Sequence, residues 1–368
     1  MAVRTEEKTM KLIGKLVAYP ILAVNFIISL LMIFSSYGSL AAPSGRWPLA
    51  SLSGLAFPFL LFAVLMFLVL WLIVWKKAAL LPAITVLLCL PALLDCFPVH
   101  IFHGETAGKA DLTVLTYNTR SFGTAVNKDW SDTNPVLSFA AGTGADILVF
   151  QEAATGIVRS ASGSGRFGDA YPYCATSDTR HNLAVMSRFP VISDETIAFE
   201  GSGNSCQYVR ILIGQDTLAL YNCHLQSNGL GGDEIAEYQR FIENPTDSTY
   251  YDTSKKVLKK LLKSTSARAG QARLVADRAR SETARYVIVC GDFNDTPLSY
   301  SHRVFDRFMT DTYARTGNGP GITYHEHRLF YRIDHIFCSR NMTAAGSRVD
   351  RSISESDHYP VISELNFK

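Results

Sequence analysis

Three long apolar segments near the N-terminus constrain the folding of this 368-residue chain more than any other feature. They cover about residues 16–37, 55–75 and 78–99. Each approaches the ~20 residues that cross a bilayer as a helix. The middle segment has no charged residue and ends in Trp71 and Trp75, as an interfacial aromatic belt would, whereas the third contains Asp95, which we expect at the membrane boundary. We therefore predict that residues 1–103 form a membrane anchor of three transmembrane helices.

The basic residues around these segments predict the orientation of the anchor. Four of them precede the first segment, and Lys76 and Lys77 separate the second from the third, while the loop between the first two holds only Arg46. Because basic loops remain in the cytoplasm, we expect a multi-pass protein of the plasma or inner membrane with a cytoplasmic N-terminus. Three crossings then make everything beyond the anchor extracytoplasmic. A cleaved signal peptide is the competing interpretation of the first segment, since residues 39–41 loosely resemble a cleavage site.

The remainder of the chain, residues 104–368, has a different composition. It holds 28 basic and 30 acidic side chains, a net charge of −2. Proteins that bind duplex nucleic acid mainly through its phosphates usually carry a basic surplus, and this region has none in bulk. Its cysteines form no CxxC pair and no zinc-type cluster with histidine, which argues against a structural zinc site. A disulfide between Cys174 and Cys206 could form if the region is extracytoplasmic, but the sequence alone does not establish it.

From Asp111 onward, short apolar runs typical of β-strands are separated by polar clusters. The predicted strands cover residues 112–118, 146–152, 182–192, 208–214, 217–225, 286–294, 332–339 and 360–367. Helices are predicted over 134–143 and, most clearly, 254–283, where apolar residues recur near a 3.6-residue period. Several strands are almost continuously apolar, as expected when both faces of a sheet are covered. The pattern predicts a layered α/β fold, with a mixed sheet sandwich inside and helices outside.

Polar residues follow six of these strands, at the positions where a rigid sheet presents catalytic groups. They are Asn118, Glu152, His224, the group Asp292, Asn294 and Asp295, then Asp334, and finally Asp357 with His358. One such residue is usually a turn former, but six strand ends drawn from Asn, Asp, Glu and His are difficult to explain as turns. Carboxylates with few soft ligands suit Mg²⁺ or Mn²⁺. A carboxylate base and a histidine oriented by an aspartate would supply proton transfer and charge stabilisation.

The ordered motifs TYN, QE, NCHL, GDFND, RIDHIF and SDHYPV resemble the endonuclease/exonuclease/phosphatase superfamily. That superfamily includes deoxyribonuclease I, apurinic endonucleases, sphingomyelinases and inositol polyphosphate 5-phosphatases. The resemblance covers about residues 110–368, where order, spacing and strand context all agree. It implies a four-layered α/β sandwich of the deoxyribonuclease I type with two central sheets, and a catalytic domain over residues 104–368.

The resemblance also implies a metal site and its surroundings. Glu152 is expected to be the principal ligand of Mg²⁺ or Mn²⁺, and Asn118 and Asp357 to complete or support the site. Some nucleases of the superfamily have an acid two residues after the first Asn. Arg120 stands there in this chain, and we expect it to bind a substrate phosphate. Asn182 is a second candidate for substrate binding.

The same resemblance assigns catalytic roles. Asp292 is expected to activate the attacking water, and Asn294 to hold the phosphate. His358, oriented by Asp334, is expected to contact phosphate oxygens in the transition state, and His224 to bind phosphate or assist the leaving group. A lone histidine is more often structural, but both of these lie inside matching motifs.

For four other polar residues the sequence favours a surface role at least as much as a site role: Arg180, His181, His325 and His327.

Taken together, the sequence predicts a divalent-metal-dependent phosphoesterase that hydrolyses phosphate mono- or diesters by in-line attack of an Asp-activated water. Lipid or small-molecule esters near the anchoring bilayer are one substrate class. The alternative is an extracytoplasmic nuclease acting on DNA or RNA. A third interpretation, an inactive binding protein on the same fold, is disfavoured because all the motif residues are present. The expected partners are the phosphate-ester substrate and the bilayer, and no protein partner can be inferred.

Overall fold

The computed structural model describes most of the chain. The described residues are 2–40, 43, 48–100, 109–123, 134–163, 165–178, 180–229, 250–326 and 330–368. The helices are α1 (Ala2–Tyr37), α2 (Phe57–Val74), α3 (Leu80–Leu88), α4 (Leu90–Cys96), α5 (Pro135–Gly142), α6 (Thr155–Ser162), α7 (Gly165–Ala170), α8 (Tyr250–Arg280), α9 (Tyr300–Asp306) and α10 (Thr312–Thr316). The strands are β1 (Leu112–Asn118), β2 (Ile147–Gln151), β3 (Tyr173–Thr176), β4 (Ala184–Ser187), β5 (Val191–Ala198), β6 (Ser205–Ile213), β7 (Asp216–His224), β8 (Tyr286–Asp292), β9 (Met309–Asp311), β10 (Asp334–Ser339), β11 (Met342–Val349) and β12 (Val361–Phe367). Short 3₁₀ segments cover Gly38–Leu40, Pro48–Ala56 and Arg120–Phe122.

The strands form two six-stranded sheets. The first has the order β11-β12-β1-β2-β4-β3, and the second has the order β5-β6-β7-β8-β10-β9. Each sheet has one parallel pair at its centre, β1 with β2 and β7 with β8, and its other pairs are antiparallel. The two parallel pairs matter for function because parallel strands end at the same edge of a sheet.

Apolar side chains from both sheets form the central core, with Val114 of the first sheet and Leu220 of the second fully buried in it. Helices α5, α6 and α7 cover the outer face of the first sheet, and α8 and α9 cover the outer face of the second. The arrangement is a four-layered α/β sandwich, which confirms the predicted fold class.

The local predictions hold with one notable exception. Both predicted helices are present as α5 and α8, and Asn134 caps α5 by accepting hydrogen bonds from two backbone amides. The single strand predicted over residues 182–192 is instead two strands, β4 and β5, which belong to different sheets. A turn at residues 188–190, ending in Pro190, carries the chain from one sheet to the other. Arg188 and Pro190 interrupt the apolar run, and Pro190, which cannot donate to a strand ladder, is the signal that could have indicated the break.

Two helices of the N-terminal region are long and apolar enough to cross a membrane by length and composition. The spans are Leu16–Leu40 and Leu49–Val74. Of the exposed large apolar side chains among the described residues, 28 precede residue 100 and five follow it. Such a concentration of exposed apolar surface marks an interaction with a membrane or another apolar partner.

The third predicted span, residues 78–99, is not one continuous helix. It consists of α3, with nine residues, and α4, with seven, and the break lies at Cys89. Pro91 has no amide hydrogen to donate to the carbonyl four residues before it, which interrupts the helical hydrogen bonds at this point. The structure therefore has two continuous helices long enough to span a membrane, and the third predicted span is a broken helix whose parts, α3 and α4, run from the Lys76–Lys77 end of the bundle to the end beside the sheet-containing region.

The apolar helices pack into a bundle whose two ends are distinct. At one end, Trp75 packs edge-on against Tyr19 and Trp71, and Trp71 Nε1 donates to Asn25 Oδ1 at 3.0 Å. This end includes the turn at Lys76 and Lys77. At the other end, α1, α2 and α4 enclose Leu298, which belongs to the sheet-containing region and is fully buried.

The far end of the bundle makes further polar contacts with the sheet-containing region, and we call the whole set the anchor contact. It includes hydrogen bonds from Ser39 Oγ to Leu298 O, from Arg307 to Leu40 O, from Arg332 to Asp95 O and from Gly319 N to Pro98 O, and a 2.9 Å ion pair between Arg303 and Asp95. Gly54 faces the same carbonyl of Leu298, and a Cβ at that position would lie 2.8 Å from its oxygen. The contact therefore depends mainly on backbone carbonyls and close packing.

Candidate active site

The six predicted strand ends meet at one end of the sandwich. Asn118 ends β1 and pairs with Gln151, the residue before Glu152, while His224 ends β7 and pairs with Asp292, the last residue of β8. Asp334, which begins the antiparallel strand β10, also pairs with Asp292. The topology thus brings side chains from both sheets to one location.

Asp292 lies at the centre of this cluster and is almost fully buried. Its Oδ1 accepts from the backbone N–H of Asn294 at 2.8 Å, and its Oδ2 accepts from Asn118 Nδ2 at 3.0 Å and Asn294 Nδ2 at 3.2 Å. Gly291, just before it, has a φ of +126°, and a Cβ there would overlap the carbonyl oxygen of Cys223. A glycine is therefore required for β8 to approach β7 closely enough to present Asp292.

His358 and Asp334 form a buried pair next to Asp292. His358 Nδ1 lies 2.8 Å from Asp334 Oδ2, which leaves His358 Nε2 facing Asp292 Oδ2 at 3.8 Å. Burial alone would lower the pKa of His358, but the charges of Asp334 and Asp292 outweigh it and raise the pKa to about 10. The imidazole is consequently a cation at neutral pH, with its outer nitrogen directed at the cluster.

Asn118 links two carboxylates. Its Nδ2 donates to Glu152 Oε1 at 3.1 Å as well as to Asp292, and its Oδ1 accepts from the backbone N–H of Arg120 at 3.2 Å. The amide nitrogen, rather than the oxygen, is therefore directed at the carboxylates. His224 Nε2 lies 3.9 Å from Glu152 Oε1 and 3.7 Å from Asp292 Oδ2, so it faces the same group.

Arg120 and Asp357 lie at the rim of the cluster. Arg120 donates to Glu326 Oε1 at 2.6 Å and lies 4.0 Å from Asp357 Oδ2. Asp357 Oδ1 accepts from Ser356 Oγ at 3.2 Å. Glu326 was not among the predicted residues. It stands between strands in a segment without apolar periodicity, so the sequence gave no signal for it.

Backbone strain is concentrated at this end of the sandwich. Among the described residues, those with a positive φ that are not glycine are Arg120, Ser121, Phe122, Glu152, Asn182 and Asn294. All six belong to segments at the edge where the strand ends meet, and the carbonyl of Asn182 accepts from the amide of Ala153 at 2.7 Å. Each such conformation costs about 1–3 kcal/mol and persists where the surrounding structure imposes it, often at functional sites.

The donor set fits a hard divalent cation. Four carboxylates lie at this end of the sandwich: Glu152, Asp292, Asp334 and Asp357. The cationic side chains near them, within the described ranges, are His358 and Arg120, and Arg120 is already paired with Glu326. The negative charge is therefore incompletely balanced, and oxygen donors are the ligands that Mg²⁺ and Mn²⁺ prefer. The Glu152 side chain is 44% exposed and is thus accessible to an ion.

The remaining polar residues have other positions. Asp295, part of the same motif as Asp292, is buried away from the cluster and accepts from Arg268 at 3.1 Å and from Ser301 at 3.1 Å. Arg180 and His181 both bind Asp178 beside Asn182. His325 stacks on Tyr359, and His327 lies outside the described residues. Cys174 and Cys206 belong to different sheets and are free, and Cys206 Sγ lies 3.6 Å from Cys223 Sγ instead.

Two residues that support the backbone and ring of site residues were also not predicted from the sequence. Thr323 Oγ1 accepts from the amide N–H of Asp334 at 3.1 Å, and Tyr324 forms an isolated β-bridge with His358 and packs edge-on against its ring. Both residues precede β10 in a segment that lacks strand periodicity. Their role is visible only once the loop is folded against β10.

Comparisons with known proteins identify the family of the sheet-containing region. Residues 115–358 match the model of the endonuclease/exonuclease/phosphatase family, and residues 15–95 match the model of a domain of unknown function, DUF8431. The search of curated proteins found no match.

Solved structures share the fold. The endonuclease/exonuclease/phosphatase from Bacteroides vulgatus has 15% sequence identity and a TM-score of 0.51, over 71% of this chain and 100% of its own. D. rerio TDP2 in complex with a single-strand DNA product has 16% identity and a TM-score of 0.51, over 69% of this chain and 98% of its own. A functionally unknown conserved protein from Enterococcus faecalis V583 has 14% identity and a TM-score of 0.50, over 70% of this chain and 100% of its own. At these identities the likeness concerns the fold alone. Because the family model covers more than half of the chain, this protein belongs to the endonuclease/exonuclease/phosphatase family.

Proposed function

We propose that the protein is a membrane-anchored, divalent-metal-dependent phosphoesterase in which Asp292 activates a water for in-line attack on a phosphate mono- or diester. The position of Asp292 carries this proposal. Its Oδ2 lies 3.0 Å from Asn118 Nδ2, 3.7 Å from His224 Nε2 and 3.8 Å from His358 Nε2, at a point where strands of both sheets end. A buried carboxylate surrounded by donors in this way has one orientation and is suited to accept a proton from a bound water.

Asn294 and His358 complete the catalytic group in this proposal. The backbone N–H and the side-chain Nδ2 of Asn294 each donate a hydrogen bond to Asp292. Because Nδ2 also donates to Leu225 O at 3.1 Å, the turn after β8 is fixed. His358, held by Asp334, presents a positively charged Nε2 to the phosphate oxygens as negative charge develops on them. His224, whose Nε2 faces the same oxygen of Asp292, would bind phosphate or assist the leaving group.

Mg²⁺ or Mn²⁺ would be held by Glu152, with Asp357 beside it. Asn118 would support the site by donating to Glu152 and Asp292, which fixes both carboxylates. When bound, such an ion neutralises charge on the phosphoryl group and stabilises the leaving oxygen. Arg120 would reach a substrate phosphate only by exchanging its hydrogen bond with Glu326, and Asn182 would line the cleft next to Glu152.

Two substrate classes remain in this proposal. Lipid or small-molecule phosphate esters are favoured by the apolar N-terminal helices, which would keep the enzyme at a bilayer, and by the net charge of −2 over residues 104–368. A nuclease is the second candidate, because D. rerio TDP2 of similar fold was crystallised with a single-strand DNA product.

The test is hydrolysis by the full-length protein in detergent, with Mg²⁺ or Mn²⁺ and after chelation. The substrates are plasmid DNA, single-stranded RNA, phosphoinositide and sphingomyelin vesicles, and soluble phosphomonoesters. Asp292→Asn keeps the shape of the side chain and removes the base. Asp216→Asn makes the same change at the opposite end of β7, where the side chain pairs with Arg285. Metal-dependent turnover that Asp292→Asn loses and Asp216→Asn keeps supports the proposal. Turnover that survives chelation or Asp292→Asn contradicts it.

We also propose that the catalytic region is extracytoplasmic. The turn at Lys76 and Lys77 and the sheet-containing region lie at opposite ends of the bundle, which supports this orientation when combined with the positive-inside rule. Protease added to intact cells is then expected to cut beyond residue 104 and to spare the Lys76–Lys77 turn. Complete protection of the region beyond residue 104 would place it in the cytoplasm instead.

A further inference from the structure

A cavity of about 700 Å³ lies between the end of the anchor and the sheet-containing region, outside the catalytic cluster. The anchor side includes Leu94, Asp95 and Val99, and the other side includes Arg315, Arg340 and Lys368. None of these residues belongs to the proposed catalytic or metal group. The volume falls within the range of about 300–1,000 Å³ that small-molecule sites occupy.

The acidic residues of this cavity already have cationic partners. Asp95 pairs with Arg303 at 2.9 Å, and the same guanidinium lies 3.8 Å from Asp306. Asp311 is fully buried and accepts from Arg332 at 2.9 Å and from His302 at 2.8 Å. Burial alone would raise the pKa of Asp311, but Arg332 and His302 outweigh it and lower the pKa, so the carboxylate is ionised and its charge is matched.

Three exposed basic side chains remain on the cavity wall: Arg315, Arg340 and Lys368. Arg340 and Lys368 each donate to a backbone carbonyl, and no ion pair links either of them to a described carboxylate. For Arg315 the described part of the chain offers neither an ion pair nor a hydrogen bond. The wall is therefore cationic, although the region as a whole is slightly acidic.

The exposed side chains of the opposite wall are apolar and continue into the anchor. Leu94 is 45% exposed and Val99 is 60% exposed. Both lie where the third apolar segment leaves the bundle, so one wall of the cavity is continuous with surface that would face lipid chains. An apolar wall facing a cationic wall at a membrane boundary matches a molecule with a negative headgroup and acyl chains.

We propose that this cavity binds an anionic phospholipid, with its headgroup phosphate against Arg315 and Arg340 and its chains along Leu94 and Val99. Guanidinium groups bind phosphate through paired, charge-assisted hydrogen bonds. Basic pockets beside membrane helices recruit anionic lipids in the same way. The site is distinct from the catalytic cluster, and it would hold lipid next to the anchor contact whether or not lipid is also the substrate.

The test measures lipid retained by the full-length protein after extraction from vesicles containing equal phosphatidylglycerol and phosphatidylcholine, read by native mass spectrometry. We expect one phosphatidylglycerol molecule to remain bound in preference to phosphatidylcholine. The double variant Arg315→Gln/Arg340→Gln is expected to lose about tenfold or more of this retention, since two basic residues near the membrane surface are removed. The matched control is Arg278→Gln/Arg348→Gln, whose arginines pair with Glu195 and Glu364 away from the cavity. It is expected to keep the lipid.

Equal retention of the two lipids, or phosphatidylglycerol retention that the double variant does not change, overturns the proposal. A further arm adds inorganic phosphate at millimolar concentration to the protein in detergent. Displacement of the lipid by phosphate alone would mean that the site recognises a free anion, and this result also overturns it. The double variant is expected to keep its phosphoesterase turnover in detergent. Failure of this proposal is therefore distinguishable from failure of the proposed function, which Asp292→Asn tests.

Discussion

The proposed catalytic cluster around Asp292 and the anchor contact are built from different chemical groups. The catalytic cluster consists of side chains, namely carboxylates, amides and imidazoles directed from strand ends towards Asp292. The anchor contact consists chiefly of backbone carbonyls, those of Leu40, Asp95, Pro98 and Leu298 among them, and of one buried leucine. Every residue has a carbonyl, so the first region can be recognised from residue identity and the second cannot.

One short loop connects the two regions. Five residues lie between Asp292 and Leu298. One of them, Asp295, is held by Arg268, and Leu298 itself is enclosed by the bundle. Arg332 makes a similar link, because it binds the carbonyl of Asp95 and lies two residues before Asp334. The comparison therefore predicts that the anchor affects the stability and the geometry of the catalytic cluster.

The largest effect is expected from Asp292→Asn. General base catalysis contributes about 10²–10⁴-fold, so kcat should fall by roughly 10³-fold, because the amide cannot accept the proton of the water. Stability should change little, since Asn keeps the size of the side chain, and circular dichroism melting checks this.

His358→Ala should likewise remove turnover without unfolding the protein. Near-normal kcat in either variant would refute the role given to that residue.

The next effect is expected when the anchor is removed. A fragment of residues 109–368 exposes Leu298, whose burial contributes about 1.5–3 kcal/mol, and it deprives Arg303 of Asp95. We expect its melting temperature to fall by about 5 °C or more relative to the full-length protein in detergent, with a lower kcat. A fragment as stable and as active as the full chain would show that the two regions are independent.

A smaller and more local test uses glycine. In Gly54→Ala the new Cβ would lie 2.8 Å from Leu298 O, so the anchor contact must open, at a cost of about 1–3 kcal/mol. Gly270→Ala is the matched control in α8, where a Cβ meets no atom within 4 Å, and it should stabilise the protein by about 0.5–1 kcal/mol. Thermal melting of the two variants side by side measures the difference. Equal melting temperatures would argue against close packing at Gly54.

The smallest effect is expected at Glu282, which touches neither region. Burial alone would raise its pKa, but the hydrogen bond from Tyr208 and two backbone amides outweigh it and lower the pKa below the ordinary 4.5. A lowered pKa stabilises the fold above pH 4.5, and this contribution is lost as the pH falls through the lowered value. Glu282→Gln should therefore cost under about 1 kcal/mol at pH 7, because the half-buried group is still screened by solvent, and less at pH 3. Denaturant unfolding at both pH values measures it, and a cost that grows on acidification would contradict the sign.

Most of the fold was accessible from the sequence because strand and helix periods are local signals. The eight apolar runs and the 254–283 helix follow from burial on regular elements, and the sheet order then brings the predicted site residues to one edge. Whether they act as proposed stays a prediction. The turn at residues 188–190 was missed because the apolar runs on both sides outweighed Pro190. Thr323, Tyr324 and Glu326 lie in a loop whose folding depends on distant contacts. The third membrane helix was overestimated because length and hydropathy outweighed Pro91.

The enclosure of Leu298 has a mechanical consequence. An enzyme on a flexible tether samples many heights and tilts above a bilayer and can reach substrates in any of them. Here Leu298, in the loop after Asp292, is enclosed by the bundle. The carbonyls of Asp95 and Pro98 accept further hydrogen bonds from Arg332 and from the amide of Gly319. In the proposed membrane-anchored enzyme, the cluster around Asp292 would therefore be held at one height and one tilt relative to the bundle, and the geometry in which a substrate is presented would become part of its selection.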